Sequence, residues 1–377
     1  MRTTKDQGPG TRDFSAVEEI TVILVSWNDV EDLRACVESL AQARRRMPGD
    51  GPRVSLVVVE NGGGRAEILS LWSGASVLVN QDNRGFGPAA NQGADIAPGD
   101  VLLFLNPDTR AEGDPFTAIS RGFAAHPEAA ALAPRLLEFE APSPADGPSK
   151  IQNLSSEALA KEDPKSKISR LLAPPNREDQ FTFQLRRLPS LPSDARELLL
   201  VDSLAPNNRG RRSRRYADFD RNSPFEVEQA AAAALAIRKS AFQVLHGFDT
   251  RFVPAWFEDV DLCARLSGAG KLFYWPEARF RHRGGVSSAS LGYARFLPIY
   301  YRNALRYRRL HYGWPARVLY RPLLFAGMLL RLLLLPFRPT VPRPRREAAR
   351  AYLATLALAL GLSSTHNSQL TTHNSHD

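Results

Sequence analysis

Cysteine is nearly absent: Cys36 and Cys263 are the two in 377 residues. Neither belongs to a Cys-x-x-Cys pair, and no His/Cys ligand spacing accompanies them. This excludes a disulfide scaffold and a structural zinc site, and it points to a reduced interior. The phosphate-loop signatures G-x-G-x-x-G and G-x-x-x-x-G-K-[ST] are missing too. No apolar run reaches the roughly 20 residues a spanning helix needs. The longest, PLLFAGMLLRLLLLPF, is interrupted by Arg331 and closed by Pro336. The N-terminus, MRTTKDQGPG, lacks a signal-peptide apolar region, so a cytoplasmic chain is expected. Acid is short relative to base: 40 Asp and Glu face 49 Lys and Arg, a net charge of +9. That balance favours anionic partners such as nucleotides, phosphorylated lipids or membrane surfaces. Net charge alone suggests nucleic acid, and RRSRR reads as a solvated loop, so no nucleic-acid partner is expected.

What is present is an alternation. ITVILVSW (20–27), VSLVVVEN (54–61), SVLVN and VLLFL read as buried strands. Between the first two, DVEDLRACVESLAQA has helical spacing, with Leu33, Val37 and Leu40 on one face. A short helix is expected from Arg65. NRGFGPAANQGADIA reads as a Gly-rich loop feeding a helix, with Pro88 in its first turn. Strand and helix alternating at this pace predict an α/β fold with a Rossmann-like, mostly parallel central sheet flanked by helices.

Residues 1–18 read as a disordered lead-in and 19–310 as the main domain. The Pro-, Ser- and Arg-rich stretch 141–223 reads as a mobile insertion, with short helices near Ser155–Lys161 and Asp194–Leu200. VEQAAAAALAIRKSAFQVL restores order, FEDVDLCARL reads as a helix and KLFYWP as a strand. Residues 311–362 form a basic, apolar helical segment. Its two readings, an interfacial membrane helix anchored by arginines and a helix packed on the domain, are equally good. The tail 363–377 reads as disordered.

In open α/β sheets ligands bind beyond the carboxyl ends of the strands. Ser26, Trp27 and Asn28 follow the first strand, Glu60 and Asn61 the second, and Asn106-Pro107-Asp108 the fourth. Asn83, Gly85 and Asn91 lie in or after the Gly-rich loop. An aromatic ring with amides and carboxylates suits a nucleobase and ribose, and a glycine turn lets backbone approach a ligand. A carboxylate beside a diphosphate calls for a divalent cation, Mg²⁺ or Mn²⁺. Taken alone, Asn-Pro-Asp is ordinary turn chemistry, and the turn is the better reading. A second cluster, Trp256-Phe257-Glu258-Asp259-Val260-Asp261, crowds acids at a helix start. Asp261 has Arg265 four residues on as an ion-pair partner. Glu258 and Asp259 are either capping groups or a general base that the helix start keeps ionised. A third, Phe280-Arg281-His282-Arg283-Gly284-Gly285, suits phosphate or metal contact.

Taken in order, VSWN, VVVENG, NRGFGPAANQG, LFLNPDT, GFDTRFVPAWFEDVDLCARLSGAG and WPEARFRHRGG resemble the family 2 glycosyltransferases, in particular the rhamnosyltransferase-like branch. The likeness covers roughly residues 20 to 310. It implies a GT-A fold, a nucleotide-sugar donor, a divalent metal and inversion at the anomeric carbon. By position it makes Asp108 the metal acid, with Asn106 where many relatives carry Asp. Trp27 and Glu60 take the base and ribose positions, and Asn83 and Gly85 the donor-side loop. Asp259 becomes the catalytic base with Glu258 beside it, and His282 a metal or diphosphate ligand. Trp256 and Arg265 fall on the acceptor side. Glu60 stands where Asp is usual, and AAAAA (Ala230–Ala234) replaces a segment that normally contains Gly. The implied acceptor is a glycan or polyprenyl-linked glycan, met by a protein peripheral on the cytoplasmic membrane. Two rival readings are a catalytically inactive relative that binds glycan or lipid, and a nucleotidyltransferase.

Overall fold

A computed structural model describes residues 17–28, 30–62, 68–139, 184–204, 208–283, 291–338 and 344–362. Most of the lead-in, most of the proposed insertion with the helix expected near Ser155–Lys161, Gly284-Gly285 and the tail lie outside them.

The chain opens with β1 (Glu19–Ser26), α1 (Val30–Arg46), β2 (Arg53–Asn61), α2 (Ile68–Leu71), β3 (Ser76–Asn80), α3 (Phe86–Ile96) and β4 (Val101–Leu105). These boundaries follow the sequence closely. Leu33, Val37 and Leu40 are buried on one face of α1, as their spacing requires. Glu31 and Asp32 sit in its first turn and Arg44–Arg46 in its last, the arrangement the helix dipole favours. All five residues of VLLFL are buried, because β4 is paired on both edges and covered on both faces.

Next come β5 (Thr109–Glu112), α4 (Pro115–Ala125) and β6 (Ala129–Glu138). Asp114 caps α4 by accepting the Thr117 amide at 3.1 Å. Residues 184–230 contribute β7 (Leu185–Arg186), α5 (Leu191–Leu198), α6 (Val201–Leu204), α7 (Arg209–Arg214), β8 (Phe225–Glu226) and β9 (Gln229–Ala230). Then follow β10 (Ala234–Arg238), α8 (Lys239–Val244), α9 (Glu258–Leu266) and β11 (Lys271–His282).

The main sheet has the order β3-β2-β1-β4-β10-β6-β11-β5, with β8 also on β11. The first four strands are parallel. β10 runs against both β4 and β6, and β11 lies parallel to β6. β11 outruns the expected KLFYWP strand: Pro276 falls at a register shift between Trp275 and Arg279, where a missing N–H costs no ladder bond.

Three long helices close the chain: α10 (Tyr293–His311), α11 (Trp314–Leu333) and α12 (Arg345–Leu360). They pack on one another and on the start of α9, through a cluster that includes Phe257, Val260, Tyr301, Leu324 and Tyr352. Of the two readings of this segment, packing on the domain is therefore realised for one face of it. No helix among the described residues is long and apolar enough to cross a membrane.

Candidate active site

Register brings the distant motifs to one end of the sheet. Ser26 pairs with Glu60 and Asn61 with Asn80, so the ends of β1, β2 and β3 are level. His282 pairs with Thr109, which sets it against Asp108. The two side chains are buried, with His282 Nε2 3.3 Å from Asp108 Oδ1. The Arg283 amide donates to the Asp108 carbonyl at 3.1 Å.

Asp32 secures this corner from α1. Its carboxylate meets Arg110 Nη2 at 3.2 Å on one oxygen and Arg283 on the other. Arg110 also donates to the carbonyls of Pro107 and Thr109, at 3.2 and 2.8 Å. One buried acid thus ties the Asn106–Asp108 turn to the histidine strand. In the sequence Asp32 is merely one of three acids at a helix start, and nothing in its spacing signals the role. Cys36 lies beneath the same turn. Burial pushes its thiol up to about 12, and that of Cys263 likewise, so neither is a nucleophile.

The donor-side loop is held by amides. Asn61 Nδ2 donates to Asn83 Oδ1 (2.9 Å) and to the Gly85 carbonyl (3.2 Å), and Asn83 Oδ1 accepts the Gly85 amide (2.8 Å). Gly85 has φ +87°, and a Cβ there would lie 2.7 Å from the Pro254 carbonyl oxygen, so only glycine fits. Asn61 and Asn83, expected to face a donor, spend these groups on the loop itself. Asn91, expected among the donor-binding residues, clamps the backbone of Phe248 both ways: it donates to the carbonyl at 2.8 Å and accepts the amide at 2.9 Å. Ser26 and Glu60 are buried at the strand ends, Trp27 is half-buried, and Asn28 turns the chain with φ 54°.

The acid cluster opens α9. Two consecutive residues before it, Trp256 and Phe257, have φ of 72° and 74°. Left-handed backbone at two bulky residues is strained and needs outside support. α10 supplies it. Asn303, fully buried, donates to the carbonyls of Ala255 (2.9 Å) and Trp256 (3.0 Å). The Arg308 guanidinium lies 5.1 Å over the Phe257 ring and is itself fixed by Asp194 of α5 at 2.9 Å. Trp256, expected on the acceptor side, packs edge-on against Phe296 at 4.8 Å. Asn303 and Arg308 lie in a segment whose sequence reads only as basic and aromatic.

Asp259 projects beside the start of β10. Its Oδ2 accepts the Ala232 amide at 3.3 Å and its Oδ1 the Val260 amide at 2.8 Å. The next residue on, Ala233, accepts the Asn106 amide at 3.1 Å. The Ala230–Ala234 run is therefore the bridge between the base candidate and the Asp108 turn, and small side chains let the three meet. Burial raises the pKa of Asp259, partly offset by those two amides. Glu258 is pushed well above the ordinary range, first by burial and then by the charge of Asp259. The helix start does not by itself keep both ionised. The partners separate the two: Glu258 Oε2 has no hydrogen-bond partner among the described residues, whereas both Asp259 oxygens accept amides, so of the pair Glu258 holds its proton the more tightly.

Arg265, expected to face an acceptor, is committed elsewhere. It pairs with Asp261 at 2.7 Å and donates to the carbonyls of Leu245 (2.5 Å) and Gly247 (2.9 Å). Asp261 also takes His311 Nε2 at 2.7 Å, so it is structural, as its spacing from Arg265 implied. A cavity of about 180 Å³ adjoins Glu258 and Asp259, walled by Arg186, Gln229, Trp256 and Tyr300. Another hollow, lined by Arg44, Met47 and Arg53, lies at the amino ends of β1 and β2, away from this chemistry.

Asp108 and His282 together offer one carboxylate and one imidazole. No group of three or more His, Cys, Asp or Glu side chains able to hold a metal occurs among the described residues. The pair fits a divalent cation whose remaining ligands come from phosphate and water.

No curated protein matches the chain. Among solved structures, GalNAc-T7 with UDP, GalNAc and Mn²⁺ shares 15% identity at a TM-score of 0.46, over 81% of this chain and 53% of that one. This chain thus spans about half the length of that protein. The mannosyltransferase PcManGT from Pyrobaculum calidifontis, with GDP-Man and Mn²⁺, shares 12% identity at 0.46, over 93% and 76%. S. aureus TarS 1–349, with UDP, shares 9% at 0.42, over 91% and 92%. Likenesses this distant assign no ligand. The architecture is the expected one, a mixed α/β sheet of GT-A type flanked by helices, and residues 21–189 match the family model "Glycosyl transferase family 2".

Proposed function

We propose that the protein is an inverting glycosyltransferase that moves a sugar from a nucleotide-diphosphate donor to a hydroxyl of a glycan or polyprenyl-linked glycan. Rhamnose is the proposed sugar, on the branch resemblance alone. The observation that carries the reading is the convergence of Asp108, His282 and Asp259 at the carboxyl ends of the strands, in a chain whose first half matches a glycosyl transferase family.

In this reading Trp27 and Glu60 hold the base and ribose, and the Asn83–Gly85 loop lies along the donor. Asp108 and His282 would hold Mg²⁺ or Mn²⁺, which supplies Lewis-acid neutralisation of the diphosphate charge. Asp259 accepts the proton of the acceptor hydroxyl as the hydroxyl oxygen attacks the anomeric carbon from the face opposite the diphosphate, the bond from that carbon to the diphosphate oxygen breaks, and the nucleoside diphosphate leaves with the electron pair. Glu258, neutral, keeps a second negative charge out of the pocket. The amides of Ala232 and Val260 fix which way the Asp259 oxygens point. The acceptor reaches Asp259 through the cavity walled by Arg186, Gln229 and Tyr300. The protein works in the cytoplasm, peripheral on the membrane.

The test is a thermal-shift screen of nucleotide-sugars with and without Mg²⁺ or Mn²⁺, because a ligand that binds the native state raises apparent stability. A metal-dependent rise with one donor, followed by turnover on adding an acceptor glycan, is expected. Stabilisation by a donor with no turnover on any acceptor would favour an inactive binder. No stabilisation by any nucleotide-sugar would overturn the reading.

A further inference from the structure

Helix α11 presents apolar side chains to solvent as well as to the core. Its arginines are drawn back to carbonyls of the protein: Arg317 to Tyr312 at 2.5 Å, Arg321 to Ala359 at 3.2 Å, and Arg331 to Leu198 at 2.5 Å. Its solvent side, where Arg317 is also exposed, carries Trp314, Val318, Leu329 and Leu333, whose exposures are 74, 52, 41 and 66%. These positions fall four or eleven residues apart, about one and three turns, and so form one stripe along the helix. Phe337, just beyond the helix, is exposed too, and exposed Leu353 and Leu360 lie on α12, which packs beside α11. A surface helix ordinarily places its apolar face inward. A contiguous outward apolar face of this kind marks an interaction surface.

The surrounding charge selects the partner. From Tyr312 to Leu362 the sequence holds eight arginines and a single acid, Glu347. That acid is occupied by the Tyr293 amide at 2.6 Å. Arg346 and Arg350 stand exposed on α12. An apolar stripe with a cationic edge matches the boundary between anionic headgroups and acyl chains: the stripe enters the acyl layer, and Arg346 and Arg350 reach the phosphates. Trp314, at the exposed helix start, is a residue type favoured at that boundary.

We propose that the outward face of α11, with the adjoining edge of α12, docks on an anionic lipid bilayer with the helix lying in the membrane plane. The opposite side of the same helix buries Tyr320, Leu324 and Met328 in the cluster that also holds Phe257 and Val260. The docked surface is thus separated from the catalytic loop by a thin helical layer. The inference does not depend on the chemistry of that loop.

The experiment is co-sedimentation of the full chain with vesicles of phosphatidylcholine alone and of phosphatidylcholine with phosphatidylglycerol. Binding to the anionic vesicles is expected, weaker on zwitterionic ones and weakened by salt. The double variant Leu329→Glu/Leu333→Glu should lose binding on the order of tenfold or more, with its melting temperature preserved because both side chains already face solvent. Val244→Glu, an exposed apolar site on α8 away from this face, should bind as the parent does. Failure of the parent to bind anionic vesicles, or equal binding by the double variant, would overturn the proposal. So would a dimer in sedimentation velocity that the double variant dissociates without any vesicle binding, which would give the face to a second copy.

Discussion

The imidazole of His282 and the carboxylate of Asp108 stand 3.3 Å apart, both buried, although nearly half of the chain runs between them. The contact exists because β5 pairs antiparallel with the end of β11, placing Thr109 opposite His282. Asp32 then locks the two strands through Arg110 and Arg283. On the metal reading, His282→Ala weakens metal-dependent donor binding by at least the roughly 10–100-fold that losing an outer-shell partner costs, and Asp108→Ala removes the dependence. Calorimetric titration with and without Mn²⁺ measures it. Donor affinity that responds to metal as in the parent would remove both residues from the site.

Asp259→Asn should lower turnover by at least ~10²-fold, the low end for a general base, while donor binding persists. The pH profile carries independent information. Burial raises the pKa of Asp259, and a base works only when ionised. The rate should therefore fall on acidification at a pH above the ordinary aspartate range. Near-parental activity in the asparagine variant would show that Asp259 is not the base.

Glu258 makes a prediction about stability. Its folded pKa is raised, by burial first and Asp259 second. A raised group contributes stability in full below its unfolded value, about 4.3, and loses it as pH rises through the folded value. Glu258→Gln has no proton to lose. Its melting temperature relative to the parent should climb as pH increases from 4 toward 8. A difference that stays flat or shrinks across that range contradicts a neutral buried Glu258.

Asn303 bolts the strained Trp256–Phe257 backbone to α10 through two hydrogen bonds of 2.9 and 3.0 Å. Asn303→Ala leaves those carbonyls buried without their donor, at a cost of about 1–3 kcal/mol. Turnover should fall with donor affinity little changed, since the loop carries Asp259 and not the donor contacts. Denaturant unfolding and steady-state kinetics together test this. Equal loss of donor binding would indicate general unfolding instead.

Gly327 lets α11 touch α5. A Cβ at this position would lie 2.8 Å from the Leu198 carbonyl oxygen and 3.0 Å from its Cβ. Backbone cannot yield as a flexible side chain does, so Gly327→Ala should destabilise by about 1–3 kcal/mol. A neutral or stabilising result in chemical denaturation would show that the two helices separate freely.

Much of the parallel half of the sheet was legible in the residues alone. Short β-branched runs such as VSLVVVEN and VLLFL have one way to bury their side chains, and the interleaved helices carry a clean 3.6-residue period. The ligand-type residues at strand ends were legible for the same reason: once strands are parallel, their carboxyl ends must lie together. The roles of individual polar groups were not. Asn91 and Arg265 carry the right chemistry for ligand contact, yet their hydrogen bonds go to backbone far away in sequence, at Phe248 and at Leu245 and Gly247. Whether an amide meets a ligand or a loop depends on what packs opposite it, and spacing along the chain carries no such information.

By itself, then, the sequence determined the alternating elements, the charge balance and the order of the candidate motifs, because these rest on local periodicity and composition. Tertiary structure decided the rest. Antiparallel pairing of β5 with β11 brought His282 to Asp108, and the Ala232–Ala233 backbone joined Asp259 to the Asn106 turn. The packing of α10 and α11 turned a basic, apolar segment into the support of the loop that leads into α9 on one face and an exposed apolar stripe on the other. The physical reason is common to all three: pairing register and helix rotation are set by contacts between segments far apart in the chain, whose free energy no local window contains.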